Sequence, residues 1–212
     1  MADEITLYYS VASRSFTALW MLEELGIPYR REERDRRKKE NLSPDYLRLN
    51  PMGHVPTLKI GTVVVSENPA ICIYLADRFS YGSLAPKIDE PERGAYLKWL
   101  VFTTAVLEPV AALKNATITY PDGREPQWGP NWGSLDQVVK VLADTLTGRQ
   151  FLLGDRFSAA DIMLGSAISM RLFTNMLPPD PALTSYNERL KSRPARQRAE
   201  EMTWPPSLFA SS

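Results

Sequence analysis

Residues 50–79 read NPMGHVPTLKIGTVVVSENPAICIYLADRF, a stretch in which strand, turn and helix signals follow one another closely. The runs VPTLKI and VVVSE flank Gly61-Thr62, which predicts a β-hairpin with a type II′ turn because glycine suits the first central position. Asn68 followed by Pro69 predicts a helix start, with the asparagine as N-cap and the proline as first helical residue. The stretch therefore predicts two antiparallel strands followed by a helix.

The residues before this stretch alternate between strand and helix patterns. A strand ITLYYS precedes a helix over about residues 15–25, which Gly26 stops, with Pro28 just beyond. A second strand is predicted within IPYRREERD, and NLSPDYLRLN predicts a short helix with Ser43 as cap and Pro44 in its first turn. The predicted order is β-α-β-α-β-β-α, a small α/β layer.

The residues after the stretch read as a linker and then as helices. SYGSLAPKIDEPER has the proline, glycine and charge content of a linker, and helical periodicity dominates from about Glu92 onward. In FSAADI, Ser158 is the predicted N-cap with Asp161 at N3, and Phe157 and Ile162 take the hydrophobic staple positions. Helix capping accounts for this spacing, so we expect Ser158 and Asp161 to have a structural role.

Composition excludes several classes of protein. The 212 residues carry 25 basic and 25 acidic side chains, so no net charge favours nucleic acid or an anionic membrane. The single cysteine, Cys72, rules out an intramolecular disulfide and suits a reducing compartment. MADEITLYYS carries acids where a signal peptide carries bases, and Glu108-Pro109 interrupts the most apolar stretch. We predict a soluble, cytoplasmic protein without nucleic-acid or membrane partners.

NPMGHVPTL and SENPAICIYLADRF, together with the later pairing of FSAADI and RPARQRA, resemble the glutathione S-transferase family, in particular its bacterial, serine-type, theta- and beta-like members. In that family NPxGxVPxL holds a cis-proline and the second motif opens the third helix. The resemblance implies an α/β plus all-α fold: a thioredoxin-like, glutathione-binding domain over residues 1–80, a linker over 81–91 and an all-helical domain over 92–212.

The resemblance also implies a function. Glutathione is the implied co-substrate, without a metal, and its thiolate attacks an apolar electrophilic small molecule or reduces a peroxide. A homodimer is implied too. Aromatic residues of the helical half could line the electrophile pocket, although aromatic residues at helical spacing are more often core; they are Trp99, Phe102, Trp128 and Trp132. The alternative is a binding or regulatory protein that uses the same fold without catalysis.

The hydroxyl-rich stretch YYSVASRSF (residues 8–16) lies where the first strand meets the first helix. A glutathione-using enzyme favours the nucleophilic thiolate, which a hydroxyl donor and the positive end of a helix both stabilise. The resemblance makes Ser13 the activating residue, with Ser15 as its rival and a glutathione contact, and Tyr9 as the tyrosine-type alternative. Beta-type members use a cysteine where this chain has Arg14. The competing interpretation is that Ser13 and Ser15 only cap the helix.

Five further residues are implied to hold glutathione. The Val55 backbone, next to Pro56, pairs with the cysteinyl unit like an added strand. Glu67 and Asn68 match the acid-plus-serine pair that binds the γ-glutamyl end, although Asn68 stands where serine is usual. His54, the only histidine, stands where relatives have lysine or glutamine that can reach the glycine carboxylate; a lone loop histidine is more often a bystander.

The run RREERDRRKKE, Arg30 to Glu40, contains seven bases and four acids. Such a run usually forms a solvated face or protects an edge strand. It could also attract the carboxylates of glutathione, but the sequence assigns that role to no residue.

Overall fold

The computed structural model describes residues 3–113 and 132–205. They divide into two compact units: residues 3–85 with 191–205 form the first, and residues 86–113 with 132–190 form the second. The domain boundaries predicted at residues 80 and 92 stay predictions.

A four-stranded mixed sheet is the centre of the first unit. Its strands are β1 (Ile5–Tyr9), β2 (Arg30–Glu33), β3 (Thr57–Ile60) and β4 (Val63–Ser66), in the order β2-β1-β3-β4. β1 pairs with β2 in parallel and with β3 antiparallel, and β3 pairs with β4 antiparallel. The exposed, charged β2 lies at one edge, as expected for a protected edge strand.

The predicted hairpin between β3 and β4 is confirmed. Gly61 has φ +57°, whereas Thr62 lacks a positive φ, which fits the predicted type II′ turn. A Cβ on Gly61 would lie 3.2 Å from the Asp3 carboxyl group, so both backbone conformation and space favour glycine here.

The helices of the first unit are α1 (Ser15–Leu25), α2 (Pro44–Leu49), α3 (Asn68–Phe79) and α9 (Pro194–Thr203). α1 ends at Gly26, whose φ of 61° is left-handed, and α2 begins after Ser43 with Pro44 in its first turn, both as predicted. α1 packs against α9 and α3. The core is made of apolar side chains with no exposed surface, among them Leu7, Leu19, Trp20, Leu22, Ile71 and Leu75.

The predicted start of α3 is wrong by one residue. Glu67, not Asn68, occupies the N-cap position, and Asn68 is already helical with Pro69 following it. Because Asn68 is the first helical residue, its side chain does not cap the helix, and its Nδ2 donates to the Arg14 carbonyl oxygen. The side chain thus makes a long-range hydrogen bond where the sequence pattern predicted a local one.

The second unit is helical within its described residues. It contains α4 (Glu92–Phe102), a π-helical segment (Thr103–Leu107), α5 (Glu108–Ala112), α6 (Leu135–Leu146), α7 (Ala159–Phe173) and α8 (Pro181–Lys191). Ser158 is the N-cap of α7, and its backbone N–H and hydroxyl both donate to Asp161 Oδ2, at 2.9 and 3.0 Å. The predicted capping pair is therefore confirmed as a structural feature.

The β-α-β-α-β-β-α order of the first unit and the helices of the second confirm the predicted thioredoxin-like plus all-helical fold. No helix among residues 3–113 and 132–205 is long and apolar enough to cross a membrane.

Candidate functional site

Sheet register brings three predicted segments to one end of the sheet. Tyr8 of β1 lies opposite Thr57 of β3, and Thr57 lies opposite Ser66 of β4. β1 therefore ends beside the start of β3, and β4 ends there too. The serine loop (residues 10–14), the cis-proline loop (residues 50–56) and the start of α3 are consequently neighbours.

The cis-proline loop has the peptide geometry that the resemblance implied: the Val55–Pro56 bond is cis. The loop is fixed from behind at the His54 carbonyl oxygen, which accepts hydrogen bonds from the Tyr46 hydroxyl at 2.6 Å and from Asn50 Nδ2 at 2.9 Å. The same two side chains also contact Thr57 Oγ1, at 2.8 and 3.2 Å. This network fixes the carbonyl immediately before Val55.

Tyr46 and Asn50 were not among the predicted site residues. Asn50 belongs to the quoted motif NPMGHVPTL, which could have identified it, whereas Tyr46 lies in α2 without a recognisable signal. Gly53, in the same loop, has φ +63°, and a Cβ there would lie 2.7 Å from Leu42 Cδ2. The loop therefore requires glycine at this position.

The serine loop contains a compact network of hydroxyl groups. Ser13 Oγ lies 2.6 Å from the Ser10 carbonyl oxygen and 2.9 Å from Ser15 Oγ. It also accepts a hydrogen bond from the Ser15 backbone N–H at 3.1 Å, while the Ser10 N–H donates to Ser15 Oγ. Ser13 has one proton for its two possible acceptors. The Ser13 oxygen therefore accepts a hydrogen bond at the start of α1. Its hydroxyl proton can point to either of the two acceptors.

Accessibility separates the two predicted serines. Ser13 keeps 6% of its surface exposed and Ser15 keeps none. A ligand can approach Ser13 more readily without rearrangement of the loop.

The far end of the chain supports the serine loop. Ala12 adopts a left-handed backbone conformation with φ 47°, and its N–H donates to the Thr203 carbonyl oxygen of α9 at 2.8 Å. This contact fixes an uncommon conformation one residue before Ser13. No local sequence signal predicts a hydrogen bond between residues so far apart.

Tyr9, the alternative activating residue, ends β1. Burial raises the pKa of Tyr9, Glu33 adds to the increase, and the Arg31 guanidinium above its ring opposes it. The phenol therefore stays protonated near neutral pH and can donate a hydrogen bond but supplies no base.

The start of α3 adds an acid and a buried amide. Glu67 is exposed and has φ 70°, an uncommon backbone conformation, next to the positive end of the helix. Asn68 is only 4% exposed, and its Nδ2 donates to the Arg14 carbonyl oxygen at 3.0 Å. Asn68 Oδ1 is buried without a hydrogen-bond partner in the described part of the chain. The bond to Arg14 joins α3 directly to the serine loop.

The remaining candidate residues differ in how exposed or how reactive their side chains are. The His54 side chain is exposed, and Val55 is half-buried beside the buried Pro56. Cys72 is buried in α3, and burial raises the pKa of its thiol to about 12, so it is an unsuitable nucleophile.

The predicted aromatic pocket has less support. Trp99 is buried against Phe102, with ring centroids 5.3 Å apart, as expected for core residues. Trp132 is half-buried, and Trp128 lies outside the described residues. No cluster of three or more side chains suited to a metal ion occurs in residues 3–113 and 132–205.

Comparison with known proteins agrees with this arrangement. Residues 13–78 match the family described as "Glutathione S-transferase, N-terminal domain". The chain is 30% identical to glutathione S-transferase F10 of Arabidopsis thaliana over 74% of this chain and 76% of that protein. It is 26% identical to glutathione S-transferase theta-2 of Rattus norvegicus over 89% and 81% of the two chains.

A solved relative shares the fold. The theta class glutathione S-transferase of Xanthomonas axonopodis pv. citri, crystallised with glutathione bound, superimposes with a TM-score of 0.72 at 31% identity over 93% of this chain and 97% of that chain. Fold, motif order and similarity along most of the chain agree, and the chain belongs to the glutathione S-transferase family.

Proposed function

We propose that this protein is an active glutathione transferase in which Ser13 stabilises the glutathione thiolate. The observation that carries the proposal is the hydrogen bond from Asn68 to the Arg14 carbonyl oxygen, 3.0 Å long. It joins the segment proposed to hold the γ-glutamyl end of glutathione to the loop that supplies the hydroxyl. Substrate binding and thiol activation thereby depend on one rigid arrangement.

Each proposed glutathione contact has its own chemistry. The Val55 backbone pairs with the cysteinyl unit as an added strand would, next to Pro56. The Glu67 carboxylate accepts from the γ-glutamyl ammonium, and the first amides of α3 bind the γ-glutamyl carboxylate. The glycine carboxylate is assigned to the exposed side chain of His54.

The buried Asn68 Oδ1 offers no surface to a ligand, so the proposed contribution of Asn68 is its backbone N–H at the start of α3. Ser15 contributes through its network with Ser13, and Tyr9 remains the alternative hydroxyl donor.

The reaction begins with the Ser13 proton. The hydroxyl turns from the Ser10 carbonyl oxygen toward the glutathione sulfur, while the Ser15 N–H continues to donate to Ser13 Oγ. The hydrogen bond and the positive end of α1 favour the thiolate, and the thiol proton passes to solvent. The thiolate sulfur then forms a bond to an electrophilic carbon, and the leaving group departs with the bonding electron pair. We propose an electrophile with an apolar body and a homodimer in the cytoplasm.

The test is binding followed by turnover. Calorimetry with S-methyl glutathione measures binding without a titrating thiol, and a panel of alkyl and aryl halides with hydroperoxides measures glutathione-dependent turnover. Binding and turnover above the uncatalysed rate are expected. Binding without turnover on any panel member would favour the second candidate, a non-catalytic binding or regulatory protein. Absence of binding would contradict the proposed function and would also favour the second candidate, since a scaffold needs no glutathione site.

A further inference from the structure

A cavity of about 350 Å³ lies within the first unit beside the serine loop. Two segments line it, one following β1 and one following β2: Ser10, Val11, Ala12, Asp35, Arg36 and Arg37. β1 and β2 are parallel, with Tyr9 opposite Glu33, so both segments leave the sheet at the same end. Ser10 is the residue whose carbonyl oxygen accepts the Ser13 hydroxyl proton. The cavity therefore lies within one hydrogen bond of the proposed catalytic residue.

The charged wall of the cavity has an excess of positive charge. Arg36 and Arg37 are exposed, and Arg36 has no ion-pair partner within residues 3–113 and 132–205. The single acid, Asp35, already accepts from the Arg37 backbone N–H at 2.8 Å and lies 3.5 Å from Arg37 Nε and 3.7 Å from Lys38 Nζ. Asp35 thus interacts with neighbouring cations and amides, and Arg36 remains available to an anion.

The position of the cavity separates it from the proposed glutathione contacts. Strand order β2-β1-β3-β4 puts the cis-proline loop and the start of α3 on the β3 side of the serine loop. Arg36 and Arg37 follow β2 and lie on its other side. Both carboxylates of glutathione have proposed partners on the β3 side, so an anion in this cavity belongs to the second substrate.

We propose that the cavity binds a carboxylate of the co-substrate, so that the preferred electrophile has a small apolar body and an acidic group. This inference rests on the proposed function. Val11 and Ala12 supply an apolar wall for the body, and Arg36 with Arg37 supplies paired donors for the carboxylate. The volume lies at the lower end of the usual range for ligand pockets, roughly 300–1,000 Å³, which favours a small co-substrate.

Two matched electrophiles test this selectivity: 4-(chloromethyl)benzoate and its uncharged analogue 4-(chloromethyl)benzamide. With either one, the glutathione thiolate forms a thioether at the benzylic carbon and chloride leaves with the bonding electron pair. Dividing each kcat/KM by the uncatalysed rate constant removes the difference in intrinsic reactivity. We expect the normalised value to be about tenfold higher for the carboxylate, as for one charge-assisted hydrogen bond.

Variants assign the selectivity to the cavity. The double variant R36Q/R37Q should lower the carboxylate-to-amide ratio about tenfold. The matched control is K38Q, which removes one charge from the same loop at an exposed residue that also approaches Asp35 but does not line the cavity. K38Q should keep the wild-type ratio. Thermal melts confirm that all variants are folded.

A binding measurement makes the inference testable without turnover. Calorimetry compares the unreactive 4-methylbenzoate and 4-methylbenzamide in the presence of S-methyl glutathione. Tighter binding of the benzoate, lost in R36Q/R37Q and kept in K38Q, would support the carboxylate site even if no electrophile reacts, in which case only the proposed function fails.

Three results would overturn the inference. One is equal use of the two electrophiles together with equal binding of their analogues. Another is a carboxylate preference that R36Q/R37Q leaves intact. The last is weaker binding of S-methyl glutathione to R36Q/R37Q with an unchanged carboxylate-to-amide ratio, which would assign the cavity to a carboxylate of glutathione itself.

Discussion

The Ser13 hydroxyl illustrates how capping and catalysis can share one side chain. Its oxygen accepts the Ser15 N–H at the start of α1, and its proton has the Ser10 carbonyl oxygen and Ser15 Oγ as possible acceptors. A capping interaction uses a lone pair, whereas stabilisation of a thiolate uses the proton. The local interpretation as a cap and the proposed catalytic role are therefore compatible.

Asn68 is the residue on which the connection between α3 and the serine loop depends. Replacing Asn68 with aspartate removes the donor to the Arg14 carbonyl oxygen and buries a carboxylate beside that oxygen. We expect Asn68→Asp to lower the free energy of unfolding by about 1–3 kcal/mol, measured by urea denaturation at pH 7. The loss should shrink at acidic pH, where a protonated carboxyl group can donate again. Wild-type stability at pH 7 would contradict this role.

The buried Asp161 should make the free energy of unfolding depend on pH. Burial raises the pKa of Asp161 from 3.8 to about 6, although its four hydrogen-bond donors oppose the increase; they are the Leu152 N–H, the Tyr186 hydroxyl and the N–H and hydroxyl of Ser158. A carboxyl group with a raised pKa in the folded state binds its proton more tightly there than in the unfolded chain. Its contribution is complete below about pH 4 and is lost as pH rises through about 6.

Asp161→Asn isolates this effect because an amide does not titrate. The unfolding free energy of the wild type minus that of the variant should fall by about 3 kcal/mol at most between pH 4 and 7. Chemical denaturation at several pH values measures the difference. A constant difference would mean that the four donors keep the carboxylate ionised throughout.

At the scale of elements, α9 is the helix that stabilises α1 and the serine loop. Arg196 of α9 is fully buried, lies 5.2 Å above the Trp20 ring and pairs with Glu200 at 2.9 Å. The same helix provides the Thr203 carbonyl oxygen to Ala12. RPARQRA is therefore part of the support of the site as well as a family motif.

Breaking the Arg196 interactions should be costly. Arg196→Ala leaves a cavity at a fully buried position and removes the contact with the Trp20 ring, and we expect a loss of about 2–5 kcal/mol. Arg196→Met keeps most of the volume and should lose less. Guanidinium denaturation of both variants measures which of them loses more unfolding free energy. Equal, small losses would show that the buried Arg196 side chain contributes little to stability.

The elements with local signals were predicted well. Gly26 after α1, Ser43-Pro44 before α2, Gly61 in the hairpin and Ser158 before α7 each act through their nearest neighbours in sequence. Turn and capping chemistry is short-ranged, so a sequence pattern is sufficient to predict it.

The features that depend on distant partners were missed. The Asn68 amide donates to the Arg14 carbonyl oxygen, Tyr46 supports the His54 carbonyl oxygen, and the Ala12 N–H donates to the Thr203 carbonyl oxygen. Each depends on which surfaces meet after folding, and no periodicity in the sequence encodes that. For the site, the sequence identified the loops, while their supporting side chains required the structure.

At the scale of the molecule, the chain forms its first unit from both of its ends. Residues 191–205 pack with residues 3–85, so removing α9 would expose the Trp20 face of α1 and release Ala12. The site in the first unit therefore depends on residues 191–205 as well as on residues 3–85.

The proposed homodimer is also a property of the whole molecule. Light scattering should give twice the 23.9 kDa mass of one chain at micromolar concentration. A mass of one chain at every concentration measured would contradict the proposed homodimer.

The most direct test of the central claim is the pKa of the thiol of enzyme-bound glutathione. Thiolate absorbance, followed against pH at saturating glutathione, should give a lower pKa on the wild-type protein than in solution. Because Ser13 is proposed to donate to the anion, Ser13→Ala should raise the bound pKa by about 1–2 units, equivalent to about 1.5–3 kcal/mol, and lower turnover roughly ten- to a hundredfold. If Ser13→Ala keeps the wild-type pKa and rate while Ser15→Ala or Tyr9→Phe loses them, Ser13 is not the activating residue.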